Sequence, residues 1–245
     1  MGNAGDDLIP EADISSITSR TLDAAQGALD KSVDDPGVRY TFYLLTQIAL
    51  ASREDNWEAA LAEHGLRAAN AHTVFDFTAE VQDAIDRYVR QSPRGATDIS
   101  EIAQQAAGEA LLGLSRAHSH SLFGESSEDV REMMRPLSTK KGFGELGQRF
   151  FGRFVARFLN FYLSRIAAAQ IGTKRIQDAG DFARFEDLLK LHCDQSARIV
   201  RDFCGAWYSK TEYEPGPFCT PHWARWLERL SRPVVCAFLR MESSA

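Results

Sequence analysis

The chain carries little that announces an activity. It has no G-x-S-x-G turn, no H-E-x-x-H pair, no glycine-rich dinucleotide loop and no Walker A sequence, the signatures that place a nucleophile, a metal or a phosphate cradle on a fold. With no recognisable catalytic motif, the reading leans away from an enzyme, and no cofactor is expected. Cysteine is scarce too. Cys193, Cys204, Cys219 and Cys236 all fall in the last quarter of 245 residues, without framework spacing. The opening Met-Gly-Asn-Ala-Gly-Asp-Asp-Leu lacks a signal peptide's apolar run, and Asp6 stands where a myristoylation pattern needs Ser or Thr. Reduced thiols in a cytoplasm are the expectation.

Long apolar runs are missing as well. A membrane-spanning helix needs about 20 consecutive apolar residues, and Arg149, Arg153, Arg157 and Arg165 interrupt the most apolar window. No stretch alternates β-branched and polar residues well enough for a strand. Lysine is rare, 6 against 22 arginines, a bias that goes with a GC-rich bacterial gene.

What remains is helical periodicity, and one stretch dominates it. Between Gly142 and Gly172 the sequence is at once the most aromatic and the most cationic in the chain. At 100° per residue Phe150, Phe151, Phe154, Val155, Phe158, Tyr162 and Ile166 share one arc, the face of a core helix. Arg149, Arg153 and Arg157 recur every four residues along its edge. The arginines suit pairing with acids on neighbouring helices, a rail for nucleic-acid phosphates, or a face for a partner helix or membrane surface. Residues 131–175 hold 10 basic and 2 acidic side chains, and residues 1–115 hold 8 basic and 19 acidic. The two blocks either neutralise each other by packing or leave a basic docking surface.

Taken in order, 1–13 read as a flexible acidic tail and Ile14 to Leu29 as a first helix. Pro36 opens a second, interior helix reaching about Ser52. Asn56-Trp57 starts a short one that Gly65 closes. Helical spacing runs from Thr73 to Arg90. Asp98-Ile-Ser-Glu101 predicts a capping box, with Asp98 as cap, before an alanine-rich helix to about Ala117 that should cross a neighbour closely. A loop spans 118–126. Ser126 caps a short helix to about Arg135, and Ser138 to Gly142 form a basic loop leading into the central helix at about 143–171. Gly172 and Gly180 bracket a connector. Phe182, Phe185, Leu189, His192, Ile199, Phe203 and Trp207 mark a further long helix. Beyond the turn at Glu214-Pro-Gly-Pro217, Thr220-Pro221 opens a last helix. Trp207 and Trp226 read as core, Tyr208 and Trp223 as exposed.

Three clusters invite chemistry, and each has a plainer reading. His192, Cys193, Cys204, Cys219 and His222 resemble a zinc set. However, eleven residues of one helix hold Cys193 and Cys204 about 16 Å apart, too far for one zinc at about 2.3 Å unless that helix breaks. That leaves Cys204, Cys219 and His222 free to converge, against the plainer reading of buried thiols and a histidine at a helix start. His118-Ser-His120 stands alone at a helix end. Asp76, Glu80 and Asp83, and likewise Glu101, Gln105 and Glu109, suit a solvated face or a docking face for the basic block. No metal site is expected.

The sequence therefore predicts an all-α protein: a single multi-helix domain over 14–245, with a soft boundary near 118–142, packed around a long Phe/Arg-rich helix. The expected function is a non-enzymatic interaction protein, a subunit or adaptor of a larger assembly. It would dock a protein partner through Lys140, Lys141, Arg149, Arg153, Arg157, Lys174 and Arg175. The alternative places nucleic-acid phosphates on the same residues.

Overall fold

Helix α1 (Pro36–Ala51) starts where proline sets φ at the first helical position and a buried acid satisfies the N–H groups in front of it. In the computed structural model, one Asp35 oxygen accepts from Gly37 N at 2.8 Å and Val38 N at 3.2 Å. Its other oxygen accepts the Thr97 hydroxyl at 2.7 Å. One carboxylate thus joins the starts of two helices. The structure describes Leu29, Ser32 and residues 34–118, 127–170, 187, 190, 191, 193–195 and 197–211. Several expectations lie outside the described residues: the 1–13 tail, the first helix as far as residue 28, the loop after His118, the 172–180 connector, the 214–217 turn and the last helix.

α1 is buried on most sides, with Phe42, Leu44, Leu45 and Ile48 in the core. After α2 (Trp57–Glu63) the chain turns at Gly65, whose φ of +84° suits a residue without a Cβ. α3 (Val74–Gln91) begins with a capping box: Thr73 Oγ1 accepts from Asp76 N and the Asp76 carboxylate from Thr73 N, each at 3.0 Å. α4 (Asp98–His118) also has a box, one residue before the predicted one. Thr97 Oγ1 accepts from Ser100 N at 3.0 Å, and Ser100 Oγ accepts from Thr97 N at 2.9 Å. Asp98 is already helical and Glu101 faces water. Thr97 takes the cap because its hydroxyl also reaches Asp35. The close crossing expected of α4 is present: a Cβ on Gly108 would lie 2.8 Å from Gln82 Nε2 and 3.3 Å from Thr78 Cγ2 of α3.

α5 (Ser127–Met134) runs into a 3-10 turn (Arg135–Ser138), and α6 (Lys140–Gln170) follows at once. Lys140, Lys141 and Gly142 are the first turn of the helix, not a loop before it. Thr139 holds them there: its hydroxyl accepts from Gly142 N at 3.0 Å and its carbonyl from Phe143 N at 2.8 Å. Phe150, Phe151, Phe154, Val155 and Phe158 are buried, as the predicted arc requires. Each such ring contributes about 1.5–3 kcal/mol.

α7 (Arg198–Thr211) packs antiparallel on α6 along a seam of small residues. A Cβ on Gly144 would sit 2.5 Å from Arg201 O, one on Gly147 2.5 Å from Cys204 Sγ, and one on Gly205 2.6 Å from Lys140 O. The long helix predicted through this region is interrupted by a turn at Ala197. Ala197 N still reaches Cys193 O at 2.9 Å, but Val200 N bonds Ala197 O at 3.0 Å, a tighter step. The buried face shifts by one residue, to Cys193, Ala197, Val200, Cys204 and Tyr208. Two expectations reverse with it: Phe203 is 49% exposed and Tyr208 only 1%. The glycines draw the helices so close that only small side chains fit between them. Tyr208 is accommodated beyond the seam, stacked on Phe143 at 4.6 Å with the Arg53 guanidinium 5.6 Å from its ring centre.

The buried apolar side chains form one continuous cluster, and α6 packs most extensively, on α7 and α4. Among the described residues there is no strand, and no helix is long and apolar enough to cross a membrane.

Candidate functional site

The arginine stripe of α6 runs along its flank with α4, and the antiparallel packing sets what each arginine meets. Arg157 Nη1 donates to Gln105 Oε1 at 2.6 Å, and its Nε donates to Glu109 Oε1 at 3.0 Å. Its Nη2 donates to that same Glu109 oxygen. Arg153 lies between two acids, its Nε 3.6 Å from Glu109 Oε2 and its Nη2 3.7 Å from Asp194 Oδ2. Gln105 and Glu109 are four apart on α4, so one helix face presents both to the stripe. Here the acidic half of the chain packs against the basic segment, and Glu109 is shared by two guanidinium groups. These side chains remain partly open to water, which screens each pair to about 0.2–1 kcal/mol.

The remaining cations are placed differently. Arg149 rests over Gly113 of α4, with Nη1 3.3 Å from where a Cβ there would stand. It makes no ion pair among the described residues. Lys140 and Lys141 are exposed in the first turn of α6, also without an ion pair among the described residues. Arg135 is exposed just before them, and Arg201 lies across the seam from Gly144. The rail therefore divides into a C-terminal half tied to α4 and Asp194, and an N-terminal end where Lys140 and Lys141 face solvent and Arg149 is half-buried without an ion pair among the described residues. Lys174 and Arg175 lie outside the described residues.

The other clusters resolve in part. Cys193 and Cys204 are buried, and burial pushes both thiols far above their ordinary pKa, so neither is a thiolate near neutrality. Asp76 is used by its capping box, whose hydrogen bonds from Thr73 hold the carboxyl below the usual range. His118 ends α4, with its side chain outside the description, as are His120, Cys219 and His222. Among the described residues, no three His, Cys, Asp or Glu side chains are grouped to hold a metal ion.

Two features escaped the sequence reading. One is a knot at the corner after α2. Tyr40 stacks on Tyr88 at 3.9 Å and donates to His64 O at 2.8 Å. The Tyr43 hydroxyl is bonded to His64 Nδ1 at 2.8 Å, and Arg87 Nη2 donates to Gly65 O at 3.0 Å. Burial raises the Tyr40 and Tyr43 pKa values, and it lowers that of His64 against the pull of Glu63 and Glu54. No spacing rule links residues so far apart in sequence. The other is a cleft of about 260 Å³ between α3 and α4, with Phe75 and Leu112 in its walls and Arg157 at one side. Its signal was available: Phe75 stands off the apolar arc of its helix, and it is 42% exposed. Comparison of the chain with models of known families, with curated proteins and with solved structures found no match in any of the three.

Proposed function

We propose that the protein is a non-enzymatic interaction module, a subunit or adaptor of a larger assembly, that docks an acidic protein surface on the N-terminal end of α6. The observation behind this reading is the division of the rail. Arg153 and Arg157 are engaged within the fold, whereas Lys140, Lys141 and Arg149 have no counter-ion among the described residues. Lys174 and Arg175 belong to the same basic segment in the sequence. Exposed cations of one sign speed encounter with an acidic partner and orient it. A second reading puts phosphates of DNA or RNA on the same end. It is favoured by the two lysines in a first helical turn, where backbone N–H groups point outward.

One experiment separates them. The wild type and a Lys140→Glu, Lys141→Glu, Arg149→Glu variant are titrated with labelled single- and double-stranded DNA and RNA at about 50 and 200 mM salt, a range over which several phosphate contacts weaken strongly. Both proteins are also used to recover stoichiometric partners from native extract. A stoichiometric acidic protein lost by the triple variant, with no nucleic-acid binding, supports the protein-docking reading. Salt-sensitive nucleic-acid binding lost by the variant moves the site to phosphates. A variant with unchanged circular dichroism and every contact of the wild type removes this end of α6 from the function.

A further inference from the structure

The α3–α4 cleft is lined by one paired acid and base, Glu109 and Arg157, and the helices that form it carry exposed acids further along, opposite in sign to the end of α6. A role for this cleft goes beyond the function proposed above. α3 and α4 run antiparallel: Gln104 Nε2 donates to Gln82 O at 2.6 Å, and Gly108 meets Thr78 and Gln82. Phe75 and Leu112 line one end, with Gln82 and Gln105 further along. One helical turn beyond those two amides, on the same stripes, come Asp86 and Glu101. The groove thus passes from an apolar end to an acidic end, and Phe75 to Asp86 spans about 16 Å of helix. Glu101 and the neighbouring Asp83 are exposed, and neither makes an ion pair among the described residues. Glu109 is already taken by Arg153 and Arg157, Asp86 is paired with Arg90, and Asp76 beside Phe75 is held in its capping box. Glu101 and Asp83 therefore carry the exposed negative charge beyond the two amides that has no ion pair among the described residues.

We infer that this groove docks a basic amphipathic helix of a protein partner, one large apolar side chain seated between Phe75 and Leu112 and Lys or Arg side chains, two to three turns along, reaching Glu101 and Asp83. Size and charge select this occupant. A volume of about 260 Å³ falls below the roughly 300–1,000 Å³ of common small-molecule pockets, but it holds a single anchoring side chain. Helix-in-groove recognition works through such anchors at helical spacing. An acidic helix or a nucleic acid would place its charges against Glu101 and Asp83. Arg157 offsets this little, because its charge is paired with Glu109.

The test uses the full chain and two labelled synthetic peptides of about four turns, each with leucines on one face. One carries lysines on the other face, and the second carries glutamates. Binding is followed by fluorescence anisotropy in wild type, Phe75→Ser and Glu101→Lys. Phe203→Ser and Glu132→Lys serve as matched exposed-site controls. The inference expects saturable one-to-one binding of the lysine peptide, at least tenfold weaker in Phe75→Ser and in Glu101→Lys. The two controls should stay within twofold of wild type, and the glutamate peptide should not bind. Equal loss in the controls would show diffuse attraction to an acidic protein and overturn the site. Absence of binding to wild type would do the same. So would a concentration-dependent dimer that Phe75→Ser abolishes, because the occupant would then be a second copy of the chain. Loss of the Lys140, Lys141 and Arg149 contacts leaves this result unaffected, so the two proposals fail separately.

Discussion

Arg157 places two of its nitrogens, Nε and Nη2, on a single oxygen of Glu109, leaving the other Glu109 oxygen facing Arg153. Glu109→Gln weakens both contacts and sets two guanidinium groups side by side. With the side chains partly open to water, the expected loss is about 1 kcal/mol. A double-mutant cycle with Arg157→Gln should return a coupling of roughly 0.5 kcal/mol or more, read from urea midpoints. Arg149→Gln should stay within about 0.5 kcal/mol of wild type. If it cost as much as Arg157→Gln, the division of the rail would be wrong.

Glycine-to-alanine changes should have opposite signs at two sites. Gly113 lies inside α4, and its Cβ would meet only the mobile end of Arg149. Gly113→Ala should raise stability by about 0.5–1 kcal/mol through helix propensity. At Gly142 the Cβ would stand 1.9 Å from the Pro136 carbonyl oxygen, a backbone atom. Gly142→Ala should cost about 3 kcal/mol, because either the 3-10 turn or the start of α6 must move. Thermal unfolding of the two variants side by side is sufficient, and a shift of the same sign in both would contradict this packing.

Asp35 caps α1 and holds the Thr97 hydroxyl at the head of α4. Asp35→Ala should cost about 2 kcal/mol, the loss of a good cap with its hydrogen-bonded partner. Asp35→Asn keeps a capping oxygen and should recover a good part of the loss. Urea titrations of the pair check this. Equal destabilisation by both substitutions would show that the charge, not the cap, matters.

Among the described residues, His64 contributes a pH dependence to stability. Burial holds its folded pKa below the unfolded value of 6.5. Between those two values the unfolded chain binds the proton more readily, so stability rises with pH there. His64 thus contributes a loss of stability as pH falls below about 6.5 toward its folded pKa. His64→Gln should flatten the urea midpoint between about pH 7.5 and 5, the region in which a histidine titrates. Greater stability of the wild type at pH 5 than at pH 7.5, abolished by the substitution, would reverse the sign and the argument.

The helices were legible where periodicity and caps agreed. The starts of α1 at Pro36 and of α3 at Thr73, and the phenylalanine arc of α6, each follow from local chemistry, although Asp76 belongs to the Thr73 capping box and not to the acidic face that its spacing with Glu80 and Asp83 suggests. The errors arose where a distant residue decided a local outcome. Thr97 displaced Asp98 as cap because Asp35, far back in the chain, takes its hydroxyl. Tyr208 is buried and Phe203 exposed because Gly144 and Gly147 on another helix leave room for Cys204 and little more. Periodicity finds a helical face to within about one residue, 100° of rotation, and here one residue separated core from solvent. The rail showed the same limit: its spacing was plain, but the choice of which arginines are spoken for belongs to Gln105, Glu109 and Asp194.

The glycines that let α7 approach also bear on how the molecule comes together. Gly142, Gly144, Gly147 and Gly152 fall within the first half of α6, and each disfavours an isolated helix by about 1 kcal/mol relative to alanine. The N-terminal half of the longest helix is therefore a weak helix on its own. It holds its shape because α7 and the turn at Pro136 close on the bare backbone that those glycines expose. Winding of this segment and its docking are one cooperative event, and the central helix is completed together with the neighbours that surround it.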